Sequence, residues 1–122
     1  MTTSGNPASV LGRWLNTNRD TRGIAECVVT RDGDDFVVSI MGVGDNEPDP
    51  WPKARAKVFA NLEEEAGQRT VALTATFNLG YMTAETHMRV NKGVFVIVLY
   101  VTYHDGSGRS NYLNREFFYR SE

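Results

Sequence analysis

Cysteine is almost absent: Cys27 stands alone, so no internal disulfide can brace the fold, and a single thiol without neighbouring Cys or clustered His has no metal-ligand spacing. It lies in an apolar run, which predicts a buried and inert thiol. No apolar stretch approaches the roughly 18 residues of a membrane helix, so no membrane partner is expected. An excess of one charge is lacking too. The 13 Lys and Arg against 15 Asp and Glu are scattered, for a net charge of −2, and without a basic face no nucleic-acid partner is expected. Helical patterning is scarce: the only plausible stretch is Asn61 to Ala66, whose Glu63-Glu64-Glu65 run reads as a solvated loop. Residues 1–9 are small and polar with no apolar signal core, which predicts a flexible N-terminal tail on a cytoplasmic chain.

What is present is the composition of one globular domain. With 122 residues, 41% hydrophobic and 23% charged, the chain can bury a core without staples, and a single domain is predicted over residues 10–122. β-Branched and aromatic runs recur between Gly, Asn, Asp and Pro clusters, the pattern of all-β sandwiches and barrels. Eight strands are predicted: Val10 to Asn16, Gly23 to Thr30, Phe36 to Val43, Lys53 to Ala60, Arg69 to Asn78, Met82 to Val90, Val94 to His104 and Asn111 to Arg120. Arg31-Asp32-Gly33-Asp34 and Asn91-Lys92-Gly93 supply residues that tolerate positive φ in tight hairpins.

Strands four and six alternate cleanly. Ala54, Ala56 and Val58 oppose Lys53, Arg55 and Lys57, while Met82, Ala84, Met88 and Val90 oppose Thr83, Glu85, His87 and Arg89. Strand seven has two apolar faces, Val94, Val96, Val98 and Tyr100 against Phe95, Ile97, Leu99, Val101 and Tyr103. With almost no helix to cover an outer face, this predicts a homo-oligomer, a dimer in the simplest case, with the surface around Phe95, Ile97 and Leu99 as a candidate contact.

The first strand reads Leu11-Gly12-Arg13-Trp14-Leu15-Asn16. A G-x-W at the start of an all-β chain of this size resembles the opening of the calycin superfamily, which includes lipocalins, fatty-acid-binding proteins and avidins. The G-x-W-x-N form is most similar to avidin-type openings. The resemblance implies an eight-stranded antiparallel up-and-down barrel whose tryptophan lies across the closed end. It further implies an arginine of the last strand packed over that ring, Arg120 first and Arg115 second. The motif is three residues long, no other lipocalin motif matches, and it says little about the ligand.

In such a barrel the connections divide between two ends. Arg31 to Asp35, Asn61 to Gln68 and Asn91 to Gly93 lie at the end that carries the termini. Thr17 to Arg22, Gly44 to Pro52, Leu79 to Tyr81 and Asp105 to Ser110 lie at the other, and are richer in aromatic and hydrogen-bonding groups. The mouth is placed there. Trp51, in the loop with Pro48, Pro50 and Pro52, reads equally as a lid over a ligand or as a rim anchor. Asp45, Glu47 and Asp49 alternate but lack a calcium-loop arrangement, so no metal is expected. The G-x-G of Asp105-Gly106-Ser107-Gly108-Arg109-Ser110 precedes no helix, so it reads as a hairpin loop from which Arg109 could reach an anionic group.

His104, at the end of strand seven beside the mouth, is the first general acid or base candidate, whereas His87 faces solvent. On the last strand Tyr112, Asn114, Glu116, Phe118 and Arg120 share one face. If that face is inward, Glu116 and Asn114 are polar groups in the lumen, joined by Tyr100; if outward, Glu116 pairs with Arg89 or another surface cation. Two functions follow. One is a binding barrel for a small, largely apolar organic molecule, with Trp51, Tyr81, Tyr112, Asn114 and Arg109 as contacts and Tyr100 deeper inside. The other is a cofactor-free cyclase, isomerase or lyase of a biosynthetic pathway, with Glu116, His104 and Tyr100 as catalytic candidates. Neither calls for a cofactor, and a lumen packed solid with side chains is a third possibility.

Overall fold

The computed structural model describes residues 10–60 and 70–121. The N-terminal tail and the Asn61 to Ala66 turn lie outside the described residues. The strands are β1 (Gly12–Asn16), β2 (Ile24–Asp32), β3 (Asp35–Val43), β4 (Pro48–Pro50), β5 (Ala54–Ala60), β6 (Thr70–Asn78), β7 (Met82–Asn91), β8 (Val94–Tyr103) and β9 (Tyr112–Arg120). All but β4 close an antiparallel barrel in chain order, with β9 returning to β1 through Trp14 opposite Arg120. This is the eight-stranded up-and-down barrel that the resemblance implied, built from the eight strands read from spacing.

β4 was not foreseen. It pairs with the last residues of β3, Met41 opposite Pro50 and Val43 opposite Pro48, while the start of β3 pairs with β5, Phe36 opposite Ala56. β4 and β5 are therefore one strand interrupted at residues 51–53, where one extra residue enters the register. Pro52 lies in that interruption, while Pro48 and Pro50 bound β4 and remove ladder donors from it, which keeps it short. Trp51 still donates its backbone N–H to the Ile40 carbonyl at 3.0 Å, and the break turns its ring inward.

The β7–β8 hairpin joins Asn91 to Val94 through two residues. Lys92 (φ 55°) and Gly93 (φ 82°) both take positive φ, the requirement of a type I′ turn whose twist matches the flanking strands. Gly93 adopts it freely; Lys92 is the only non-glycine among the described residues to do so.

Alternation places one face of β3, β7 and β8 in the core along most of their length. On β8, Phe95, Ile97, Leu99 and Val101 are buried while Val94 and Tyr100 are exposed. Phe95, Ile97 and Leu99 therefore belong to the core, and the outer surface of β8 is the Val94, Val96, Val98 and Tyr100 face. On β9 Glu116 and Phe118 point inward and are buried, which sets the phase of that strand. Cys27 is fully buried, and burial, followed by the nearby Glu26 charge, pushes its thiol up to about 12.

The end near the termini is closed by an aromatic stack. Trp14, 1% exposed, lies 4.8 Å from Phe95 with the rings nearly parallel, and Phe118 meets Phe95 edge-on at 6.2 Å. The Arg120 guanidinium covers the Trp14 ring at 4.2 Å and donates to the Leu11 carbonyl. The Trp14 indole N–H donates to the Val10 carbonyl at 3.0 Å, so the large ring is buried with its single polar group satisfied. The tryptophan plug under an arginine of the last strand matches the arrangement anticipated from the first strand; Arg120, not Arg115, is the arginine.

Candidate functional site

The opposite end is open. A cavity of about 410 Å³ lies there, reached by the segments on which the mouth was placed: Arg22 and Gly23, Gly44 to Trp51, Tyr81 and Arg109. Its walls include Trp51, Tyr81, Tyr103 and Tyr112, with Met82 and Leu99 among the apolar residues. Side chains fill the barrel below it: Phe77, Met88, Ile97, Leu73 and the Trp14 stack are all buried. The available space is thus a cup at the mouth and not a through-going lumen.

Trp51 is 9% exposed and packs edge-on against Phe77 at 5.4 Å. It anchors the 44–52 segment, the rim role of the two the sequence left open, and its ring also lines the cup. On the other side Arg109 lies over Tyr103 at 4.2 Å and over Tyr81 at 5.5 Å. Its guanidinium also bonds Asp105 at 2.7 Å and the Ser107 hydroxyl at 3.0 Å. Hydrogen bonds from the Ser107 side chain and backbone, and then from Arg109, lower Asp105 to about 2. The 105–110 hairpin is therefore a self-bonded loop whose arginine is laid across two tyrosines. Burial, and after it the Asp49 charge, raises the Tyr81 phenol; burial, and after it Tyr103, raises Tyr112.

Glu116 is 6% exposed and spends its oxygens on three donors. Oε1 accepts from Asn16 Nδ2 at 2.6 Å and from Thr21 Oγ1 at 2.5 Å, and Oε2 accepts from the Ile24 backbone N–H at 3.2 Å. Asn16 Nδ2 also reaches the Ile24 carbonyl at 2.8 Å, and Thr21 Oγ1 accepts from Gly23 N–H at 3.0 Å. The carboxylate is a latch that binds the β1–β2 loop to β9. Gly23 is required by it, because a Cβ there would stand 2.2 Å from Oε2. A bulge between Ile24 and Glu26 turns the Ile24 amide toward the latch.

The catalytic candidates are not brought together. Glu116 is inside; Tyr100, 54% exposed, is on the outer face and not deeper in the lumen. The His104 imidazole is exposed, with Nε2 2.8 Å from the Thr83 hydroxyl, and Thr83 lies on the outer face between inward Met82 and Ala84. Of the binding candidates, Trp51, Tyr81, Tyr112 and Arg109 converge on the cup, while Asn114 is exposed and does not line it. Tyr103, Arg22, Asp45 and Asp49 line it without having been singled out as contacts. Tyr103 was readable in principle, since it shares the inward parity of Leu99 and Val101. Arg22, Asp45 and Asp49 sit on irregular segments where no period constrains direction. Among the described residues no cluster of metal-ligating side chains occurs. No family model matches the chain, and no curated protein matches its sequence.

Proposed function

We propose that this chain is a calycin-like binding barrel that holds a small organic molecule in the open-end cup, against aromatic faces and several polar and charged groups. The observation that carries this reading is the convergence of Trp51, Tyr81, Tyr103 and Tyr112, from three separate parts of the chain, on one cavity of about 410 Å³. Cavities of roughly 300–1,000 Å³ with aromatic walls and a few polar groups are the usual form of small-molecule sites. The calycin assignment is supported by Gly12-Arg13-Trp14 together with the Arg120 guanidinium over the Trp14 ring. A carrier is favoured over a cyclase because the buried carboxylate, Glu116, is committed to three structural donors and His104 lies outside the cup.

Native mass spectrometry of the protein purified from its own host, followed by denaturation, tests this. A stoichiometric organic molecule, lost from Trp51→Ala, is the expected result. An empty protein that also fails to take up apolar probes refutes it.

A second copy of the chain covers the outer face of β8 and β9. Tyr100, Leu113 (61% exposed), Phe117 and Tyr119 all project there. At about half exposure these four present on the order of 400 Å², half of the roughly 800 Å² that each partner of a stable complex contributes. Glu85 faces Tyr100 across the β7–β8 ladder, and Arg115 follows Leu113 on the same side of β9. A face bearing both signs can pair with itself about a two-fold axis. Light scattering on wild type and Leu113→Asp checks it: a dimer that dissociates is expected, and a monomeric wild type refutes it.

A further inference from the structure

From the placement of Arg109 we infer that the cup is a site for organic cations, in which the Arg109 guanidinium is a built-in occupant that a cationic ligand displaces. This rests on the cup being the binding site and goes further by naming the charge of the ligand.

An aromatic face attracts a cation within about 6 Å of its centroid, and several faces around one point select for it over a neutral molecule of the same shape. Here Arg109 lies within that range of both Tyr103 (4.2 Å) and Tyr81 (5.5 Å), and Tyr112 stands 6.3 Å from Tyr103, tilted by 45°. Two tyrosine faces therefore already hold a cation of this chain, with Tyr112 beside them. Asp105 and the Ser107 hydroxyl take two of the guanidinium's five N–H groups, and the Asp105 carboxylate answers its charge from within the same loop.

The remaining charges of the cup point the same way. Asp45 and Asp49 line it and make no ion pair among the described residues, whereas Arg22 is the only other cationic group on its wall. Asp49 is close enough to Tyr81 for its charge to raise that phenol. Two unanswered carboxylates beside tyrosine faces suit a protonated or quaternary amine on an apolar body. Arg109 is carried on a hairpin loop held mainly by its own hydrogen bonds, with Asp105 4 residues away in sequence. Exchange of one cation for another then requires the loop to move and leaves the barrel unchanged.

Three probes of one shape separate the outcomes: choline, the uncharged 3,3-dimethylbutan-1-ol and the anionic 3,3-dimethylbutanoate, each titrated into wild-type protein and followed by amide chemical shifts. Choline is expected to bind about tenfold tighter than the alcohol, with shifts at Tyr81, Tyr103 and Arg109. Arg109→Ala, which frees those tyrosine faces, is expected to tighten choline about fivefold and leave the alcohol unchanged. Tyr103→Leu is expected to remove the preference for choline without removing binding of the alcohol. If the alcohol or the butanoate binds as tightly as choline, the cation inference is overturned while the cup stands. If none of the three binds to wild type or to Arg109→Ala, the inference falls, and the host-purified sample shows separately whether the cup reading falls with it.

Discussion

Replacing Glu116 with alanine removes the side-chain acceptor of the Ile24 amide and one acceptor each for Asn16 and Thr21. Thr21 can turn toward water, but Asn16 and the Ile24 amide are buried. A hydrogen bond to a charged group contributes about 1.5–3 kcal/mol, and a buried donor left unpaired costs about 1–3 kcal/mol. Two such donors set the loss at about 2–6 kcal/mol, a large part of the roughly 5–15 kcal/mol that stabilises a domain. At this chain length about 1 kcal/mol corresponds to roughly 4 °C, so the melting temperature should fall by about 8–24 °C. Glu116→Gln keeps one oxygen and presents an amide where the second oxygen took a donor, so it should lose about 1–3 kcal/mol despite its equal size. Urea titration of the three proteins measures both, with Thr21→Ala as the partner in a double-mutant cycle. A Gln variant as stable as wild type, or an Ala variant down by less than about 1 kcal/mol, would refute the latch.

Three further outcomes are expected. Buried and pushed up to about 12, the Cys27 thiol should resist a thiol reagent in the folded protein at pH 8 and react fully in denaturant; fast native labelling contradicts the packing. Lys92→Asn, which places the preferred Asn-Gly pair in the positive-φ turn, should stabilise by about 0.5–1 kcal/mol, read as a melting-temperature rise of a few degrees. Asp105 is lowered to about 2, so its ionised form favours the folded hairpin. That contribution is complete above the ordinary carboxylate value near 3.9 and is lost as pH falls through about 2. A carboxylate-resolved NMR titration should place its midpoint near 2, and a midpoint near 4 contradicts the loop geometry.

Strand positions were legible because alternation and turn chemistry agree at every boundary. Asn91-Lys92-Gly93 became a two-residue hairpin, and all eight expected strands have ends within about two residues of the observed ones where the residues are described. The open end was legible as well: up-and-down connectivity assigns each loop to an end, and the cavity lies at the end whose loops are richer in aromatic and hydrogen-bonding groups. Phase was not. On β8 both faces are apolar, so composition could not say that Phe95, Ile97 and Leu99 turn inward while Tyr100 turns out. On β9 the polar Glu116 lies inside, and only its three donors, one at the end of β1, one in the loop after it and one at the start of β2, explain why a carboxylate is there. The proline-rich stretch hid β4, because prolines signal a loop unless the strand lies at an edge. Arg109 was anticipated as an anion contact from an exposed loop; its place over two tyrosines depends on where Tyr81 and Tyr103 meet in space, which no local pattern encodes.

One end of this barrel is plugged by the Trp14 stack, and the other holds the cup proposed as a binding site. Amide shift mapping with the molecule released from host-purified protein, or with choline if none is released, tests it most directly. The account predicts shifts grouped at Arg22, Gly42 to Asp45, Tyr81, Tyr103 and Arg109, with the amides around Trp14, Phe95 and Phe118 unmoved. Shifts centred on that Trp14 stack, or no shifts at all, would contradict it.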